Sequence, residues 1–135
     1  MPGTSFKVAQ STQSAGNRTV HVLALSGQLD HSTFLTLQRE LEGVGGGNEP
    51  SVVLDFANLE YISSAGLGVL IKMARDFRER SGDIRFAALP PRIGSITDMF
   101  GFSQVIRIFP QVNEAVGSFA THPSPPPGAM KPKSK

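Results

Sequence analysis

Asp30, His31 and Ser64 are the residue types of a hydrolytic triad: an orienting carboxylate, an imidazole base and a hydroxyl nucleophile. The pattern that would present such a nucleophile, Gly-x-Ser-x-Gly, is not there, because Ile62 and Ser63 precede Ser64. The three histidines are His21, His31 and His122, and no His-x-x-x-His pair exists for zinc. The chain has no cysteine, which removes a thiolate nucleophile, a Cys-based metal site and a disulfide framework. Phosphate cradles fare no better. Gly66-x-Gly68 lacks the third glycine of a dinucleotide fingerprint, and no Gly-Lys-Ser/Thr supplies a nucleotide-binding loop. Gly45-Gly46-Gly47 follows a helical pattern and reads as a turn. No catalytic residue, metal site or cofactor is expected.

The run Ser63-Ser64-Ala65-Gly66-Leu67-Gly68 is the exception. It follows an apolar stretch and opens an amphipathic pattern. A serine there can cap a helix by accepting from its first free N–H groups, worth about 1 kcal/mol. Capping needs one serine, and this run has two. Glycines near a helix start cost about 0.5–1 kcal/mol each relative to alanine. They suit a place where another surface approaches the backbone closely. A hydroxyl at a helix N-terminus is also a fit kinase target, since free N–H groups and the helix dipole favour a phosphate. Such a phosphate brings about two negative charges.

The elements that must position these residues follow from periodicity. Phe6 to Gln10 reads as a short strand and Ser11 to Arg18 as a turn. Val20 to Leu25 reads as a buried strand, and residues 27–33 as a loop with helix caps at Asp30 and Ser32. Phe34, Leu37, Leu41 and Val44 have helical spacing. Val52-Val53-Leu54, closed by Asp55, is a central-strand pattern. Leu67, Leu70, Ile71, Ala74 and Phe77 form one helical face, with Lys72, Arg75, Asp76, Arg78 and Glu79 on the other. A strand at Ile84 to Leu89 follows. A short helix opens at Pro90-Pro91 and ends at Gly101, with Met99, Phe100 and Phe102 read mainly as core and otherwise as an exposed partner patch. Val105 to Phe109 is a last strand and Val112 to Phe119 a last helix. The order implies an α/β fold with a mixed or mostly parallel sheet, and an antiparallel pair at the start.

Composition agrees with one globular domain: 135 residues, 39% hydrophobic and 18% charged. Residues 121–135 hold five prolines (Pro123, Pro125, Pro126, Pro127 and Pro132) and three lysines, and are expected to be a disordered Pro/Lys-rich tail after a domain at 1–120. Lys131, Lys133 and Lys135 carry the small basic excess; without them ten basic residues face eleven acidic ones. That balance, with no tryptophan and one tyrosine, argues against direct nucleic-acid binding. No apolar run is long enough for membrane insertion, and Met1 to Gln10 has no secretory pattern, so a cytoplasmic protein is expected.

Three blocks carry a family resemblance. Gly27-Gln28-Leu29-Asp30-His31-Ser32-Thr33 resembles the Gly-Glu-Leu-Asp loop of STAS domains, the anti-sigma factor antagonists. Val53-Leu54-Asp55-Phe56 and Tyr61 through Leu70 are similar to the family's strand and phosphoserine loop. Asp98-Met99-Phe100-Gly101-Phe102 with Val105-Ile106 is similar to its last helix and strand. The resemblance spans Val20 to about Phe119. It implies a four- to five-stranded mixed sheet with about four helices. It also implies a protein that binds an anti-sigma factor/serine kinase, frees a sigma factor, is switched off by phosphorylation, and is reset by a serine phosphatase. The matching phosphoserine position is Ser64. Members commonly carry Asp directly before it, where this chain has Ser63, the second phosphate-acceptor candidate. Asp30, His31, Ser32, Thr33, Ser63, Ala65, Gly66, Leu67 and Gly68 are the implied partner-binding residues. Two other roles compete: a non-switching STAS scaffold or accessory subunit of a signalling complex or membrane transporter, and a small hydrolase using Ser64 and His31.

Overall fold

The computed structural model describes residues 6–45 and 49–121. Gly46, Gly47, Asn48 and residues 122–135 of the expected tail lie outside them, while Thr121 ends the last helix. Five strands form one sheet in sequence order: β1 (Lys7–Ala15), β2 (Arg18–Leu29), β3 (Ser51–Ile62), β4 (Asp83–Ala87) and β5 (Ile108–Phe109). β1 runs antiparallel to β2, and every later pairing is parallel. The helices are α1 (Phe34–Val44), α2 (Ser64–Glu79), α3 (Pro91–Met99) and α4 (Val112–Thr121), with a 3-10 turn at Phe102–Gln104.

The two sheet faces bury different side chains because strand residues alternate. Leu23, Leu25, Val52, Leu54, Ile84 and Phe86 point to the face covered by Leu37 and Leu41 of α1, Leu70 and Phe77 of α2, and Ile93 of α3. Val20, Val22, Val53 and Ala87 point to the opposite face, where Ala115, Val116 and Phe119 of α4 cover them. Residues of both kinds alternate in β2 and β3, which explains their nearly continuous apolar runs.

Four strands differ from the sequence reading. β1 does not stop at Gln10 but runs to Ala15, and the hairpin turns on Gly16 and Asn17 alone, with Ala15 paired to Arg18. Gly16 sits at φ +60°, the left-handed conformation that two-residue hairpins need. The Ser/Thr/Gln run Ser11–Ser14 escaped notice because it is exposed and has no apolar alternation to read. β2 and β3 also continue beyond Leu25 and Asp55, to Leu29 and Ile62. Their pairing slips between Ala24 and Ser26 and again at Gly27, which has φ +90°. Such bulges carry a strand through residues that read as loop. The last strand is shorter than the expected Val105–Phe109: only Ile108 and Phe109 pair, and 105–107 lie before it.

Arg78 is the clearest departure. Its spacing puts it on the polar side of α2, yet it is buried. Its Nε meets Asp83 Oδ1 at 2.9 Å, and its Nη2 donates to the Val105 carbonyl at 2.5 Å. The other Asp83 oxygen, Oδ2, meets Arg85 Nε at 2.9 Å. Arg85 is fully buried, donates to Ser118 Oγ at 2.8 Å and lies 4.1 Å over the Phe119 ring. Burial pulls the Arg85 guanidinium below its ordinary value, and the Asp83 carboxylate opposes that shift. One carboxylate thus joins α2, β4 and α4.

Candidate functional site

The extra length of β2 and β3 is what builds the site. Leu29 pairs with Ile62 at the carboxyl ends of the two parallel strands. The turn after β2 and the turn after β3 therefore emerge side by side, where open α/β sheets place their working surfaces. The Ser63 N–H donates to the Leu29 carbonyl at 2.9 Å and ties the two turns together.

The first turn holds Asp30, His31, Ser32 and Thr33. Asp30 Oδ1 accepts from the Ser32 N–H at 2.9 Å and from the Ser32 hydroxyl at 2.7 Å. Thr33 Oγ1 donates to the Gln28 carbonyl at 2.8 Å and accepts the Asp30 N–H at 2.9 Å. The Ser32 hydroxyl, then its N–H, hold the Asp30 carboxyl below the usual carboxylate value, with smaller help from the Thr33 hydroxyl and the nearby His31. The expected capping of α1 by Asp30 and Ser32 is not what these atoms do. The N-cap is Thr33, without a side-chain cap bond, and Asp30 locks its own turn instead. The result is a loop held by its own hydrogen bonds, with His31 and Ser32 exposed.

The second turn separates the two serines. Ser63 has extended backbone, φ −95° and ψ 168°, and its Oγ accepts the Gly66 N–H at 3.1 Å. It is the N-cap of α2. Ser64 is the first helical residue and is exposed. Among the described residues no hydrogen bond joins Ser64 to His31, so the triad types are not assembled into a triad. Ala65 and Gly68 are exposed beside Ser64, whereas Gly66 and Leu67 are buried.

Gly66 and Gly68 have different reasons to be glycine. A Cβ on Gly66 would stand 3.0 Å from both Leu29 Cγ and the Leu29 carbonyl oxygen. Close approach of the helix to the end of β2 excludes it, so the surface that meets Gly66 is internal. A Cβ on Gly68 would meet nothing within 4 Å. Leu67 packs into the core at 4% exposure, which settles its side chain onto the sheet.

The third contributor splits the core reading: Phe102 is core, whereas Met99 and Phe100 take the exposed alternative. Met99 is 80% exposed and Phe100 58%, while Phe102 is buried at 4%. Gly101, at φ +69°, makes the difference: it ends α3 in the left-handed conformation and sends the residues before and after it in opposite directions. Phe100, Gly101, Phe102 and Val105 face Ser64, Leu67, Gly68 and Ile71 across a groove of about 390 Å³.

A family model, described as the STAS domain, matches residues 11–115 of this chain. The chain belongs to the STAS family. Its five-stranded mixed sheet and four helices are the STAS fold. Among curated relatives it is 32% identical over 103 residues to BtrV of Bordetella bronchiseptica, named as a candidate anti-sigma factor antagonist; the match covers 74% of this chain and 86% of that one. Among solved structures it resembles an anti-sigma factor antagonist from Mycobacterium paratuberculosis, with TM-score 0.69 and 20% identity over 83% of this chain and 93% of that one. It also resembles the Bacillus cell fate determinant SpoIIAA in its phosphorylated form, with TM-score 0.58 and 18% identity over 80% and 96%. No helix among the described residues is long and apolar enough to cross a membrane.

Proposed function

We infer that this STAS domain is a cytoplasmic anti-sigma factor antagonist that is switched by phosphorylation of Ser64. It binds an anti-sigma factor that is also a serine kinase, and by binding it frees a sigma factor. It takes part as ligand and phosphate acceptor, not as an enzyme. The observation that carries this reading is the division of labour at the start of α2. Ser63 is held in the cap, and Ser64 is exposed one residue later.

The physics of the switch follows from the surroundings. Asp30, His31, Ser32 and Thr33 form one wall beside Ser64, and Ala65 and Gly68 leave the first turns of α2 low and approachable. A partner lying across this surface removes it from water. Phosphate on Ser64 adds about two negative charges there. The N-terminus of α2 stabilises that phosphate within the free protein. Covering it with a partner requires desolvation, and the Asp30 carboxylate already makes the wall acidic. Each 1.4 kcal/mol lost is about tenfold in affinity. A serine phosphatase restores the binding form.

Intact-mass spectrometry with site mapping tests this reading. The protein is incubated with ATP and an anti-sigma factor kinase from the same organism. One phosphate on Ser64, absent in Ser64→Ala and present in Ser63→Ala, is the expected result. A kinase that binds but leaves Ser64 unmodified would reduce the role to a non-switching STAS interaction module.

A further inference from the structure

The groove beside Ser64 has a composition that its phosphate-acceptor role does not use. Its lining is Leu67, Gly68, Ile71, Phe100, Gly101, Phe102 and Val105, with Ser64 at one end. None of these side chains is ionisable, so neither a metal, a nucleotide nor a charged peptide finds a counter-charge inside it. Phe100 stands on its rim more than half exposed, and Met99 beside it is more exposed still. Met99 and Phe100 are the two most exposed large apolar side chains among the described residues.

Gly68 adds a second line of argument. A glycine inside a helix costs stability relative to alanine. At Gly66 the Leu29 contact explains it, whereas a Cβ at Gly68 meets nothing within 4 Å. The same is true of Gly43, Gly94 and Gly117, so an open position alone carries no meaning. Gly68 differs in where it opens: a side chain there would enter the groove next to Ser64.

We propose that the groove between α2 and the Phe100–Phe102 turn is the apolar half of the anti-sigma factor interface, and that the anti-sigma factor fills it with an apolar side chain packed against Phe100 over Gly68. The inference rests on the antagonist reading above and specifies its contact. Ser64 lies on the groove, so a partner that covers the serine covers the groove with it. Buried aromatic anchors at the centre of an interface supply much of its affinity. The phosphate then does more than repel. It places two charges at the mouth of an apolar slot, where an apolar side chain cannot pair with them.

The test uses the full chain and the anti-sigma factor kinase that modifies Ser64 in the mass-spectrometric experiment. Binding is measured by calorimetry for wild type, Phe100→Ser, Gly68→Gln and, as a control, Gly117→Gln. Gly117 is exposed on α4, across the sheet from the groove. Both helix substitutions replace glycine with a good helix former in open space, so thermal stability should not fall in either. Phe100→Ser and Gly68→Gln should each weaken binding at least tenfold, with Gly117→Gln unchanged. If Phe100→Ser and Gly68→Gln bind as wild type while phosphorylated Ser64 still blocks binding, the groove proposal is wrong and the antagonist reading stands. If no anti-sigma factor kinase binds even the wild-type chain, both fall together.

Discussion

The hydroxyl of Ser63 accepts the Gly66 N–H at 3.1 Å, whereas its neighbour Ser64 is exposed on the first turn of α2. Removing the Ser63 hydroxyl should cost about 1 kcal/mol of stability, the usual value of an N-cap. Ser64→Ala removes an exposed hydroxyl and should stay within about 0.5 kcal/mol of wild type. Phosphate acceptance should follow the opposite order: kept in Ser63→Ala, lost in Ser64→Ala. Urea denaturation and phosphosite mapping on the same two variants check both halves. Equal stability losses would remove the cap assignment.

Alanine at Gly66 and at Gly68 should act with opposite sign, although the residues are one turn segment apart. At Gly66 the new methyl meets Leu29 at 3.0 Å on both its side chain and its carbonyl. That carbonyl is already fixed by the Ser63 N–H, so it yields poorly. Gly66→Ala should cost about 1–3 kcal/mol, as overpacking does. Gly68→Ala meets open space and should gain about 0.4–1 kcal/mol by restricting the unfolded chain. Thermal melts of the two variants decide it, and a shift in the same direction for both would contradict the packing described here.

The central strands, the three apolar helix faces and the serine turn were legible because each is a local pattern of period two or 3.6. The site itself was legible only in part. Asp30 to Thr33 and Ser63 to Gly68 stood out by residue type, but their adjacency depends on Leu29 pairing with Ile62, and the bulges around Gly27 hid that pairing. Phe100 looked like core because it is apolar and one residue past a helix, and only the backbone of Gly101 turns it outward. Arg78 failed in the reverse direction. Its charge and spacing assigned it to solvent, and a partner five residues on, Asp83, draws it inside. Sequence periodicity carries no information on such pairing between elements.

The Asp30 turn should make stability depend on acid in a definite direction. Its carboxyl is held below the ordinary value by the Ser32 hydroxyl and N–H, so the folded pKa is lower than the unfolded one. A depressed carboxylate contributes fully above the unfolded value and loses its contribution as pH falls through the folded one. The window therefore begins at about pH 4 and extends downward. Wild type should be more stable than Asp30→Asn at neutral pH, and the two should converge as the pH drops. Denaturation midpoints from about pH 7 to about pH 2, with an NMR titration of the Asp30 carboxyl, measure this. Parallel curves would show that the turn does not depend on the charge.

Asp83 should be the most sensitive polar residue in the core. It holds Arg78 with one oxygen and Arg85 with the other, each at 2.9 Å, and both side chains are buried. Asp83→Asn removes the only negative charge from this pair of bonds while leaving two buried cations in place. Breaking a buried ion pair from one side costs about 3–5 kcal/mol. Arg85→Met is the informative comparison. It removes one cation, leaves the Arg78–Asp83 bond intact, and replaces the guanidinium over Phe119 with an apolar chain of similar length. It should therefore cost clearly less than Asp83→Asn. Urea denaturation of the two variants at neutral pH separates the cases. If Arg85→Met is the more damaging of the two, Arg85 is held chiefly by Phe119 and Ser118 and the carboxylate is secondary.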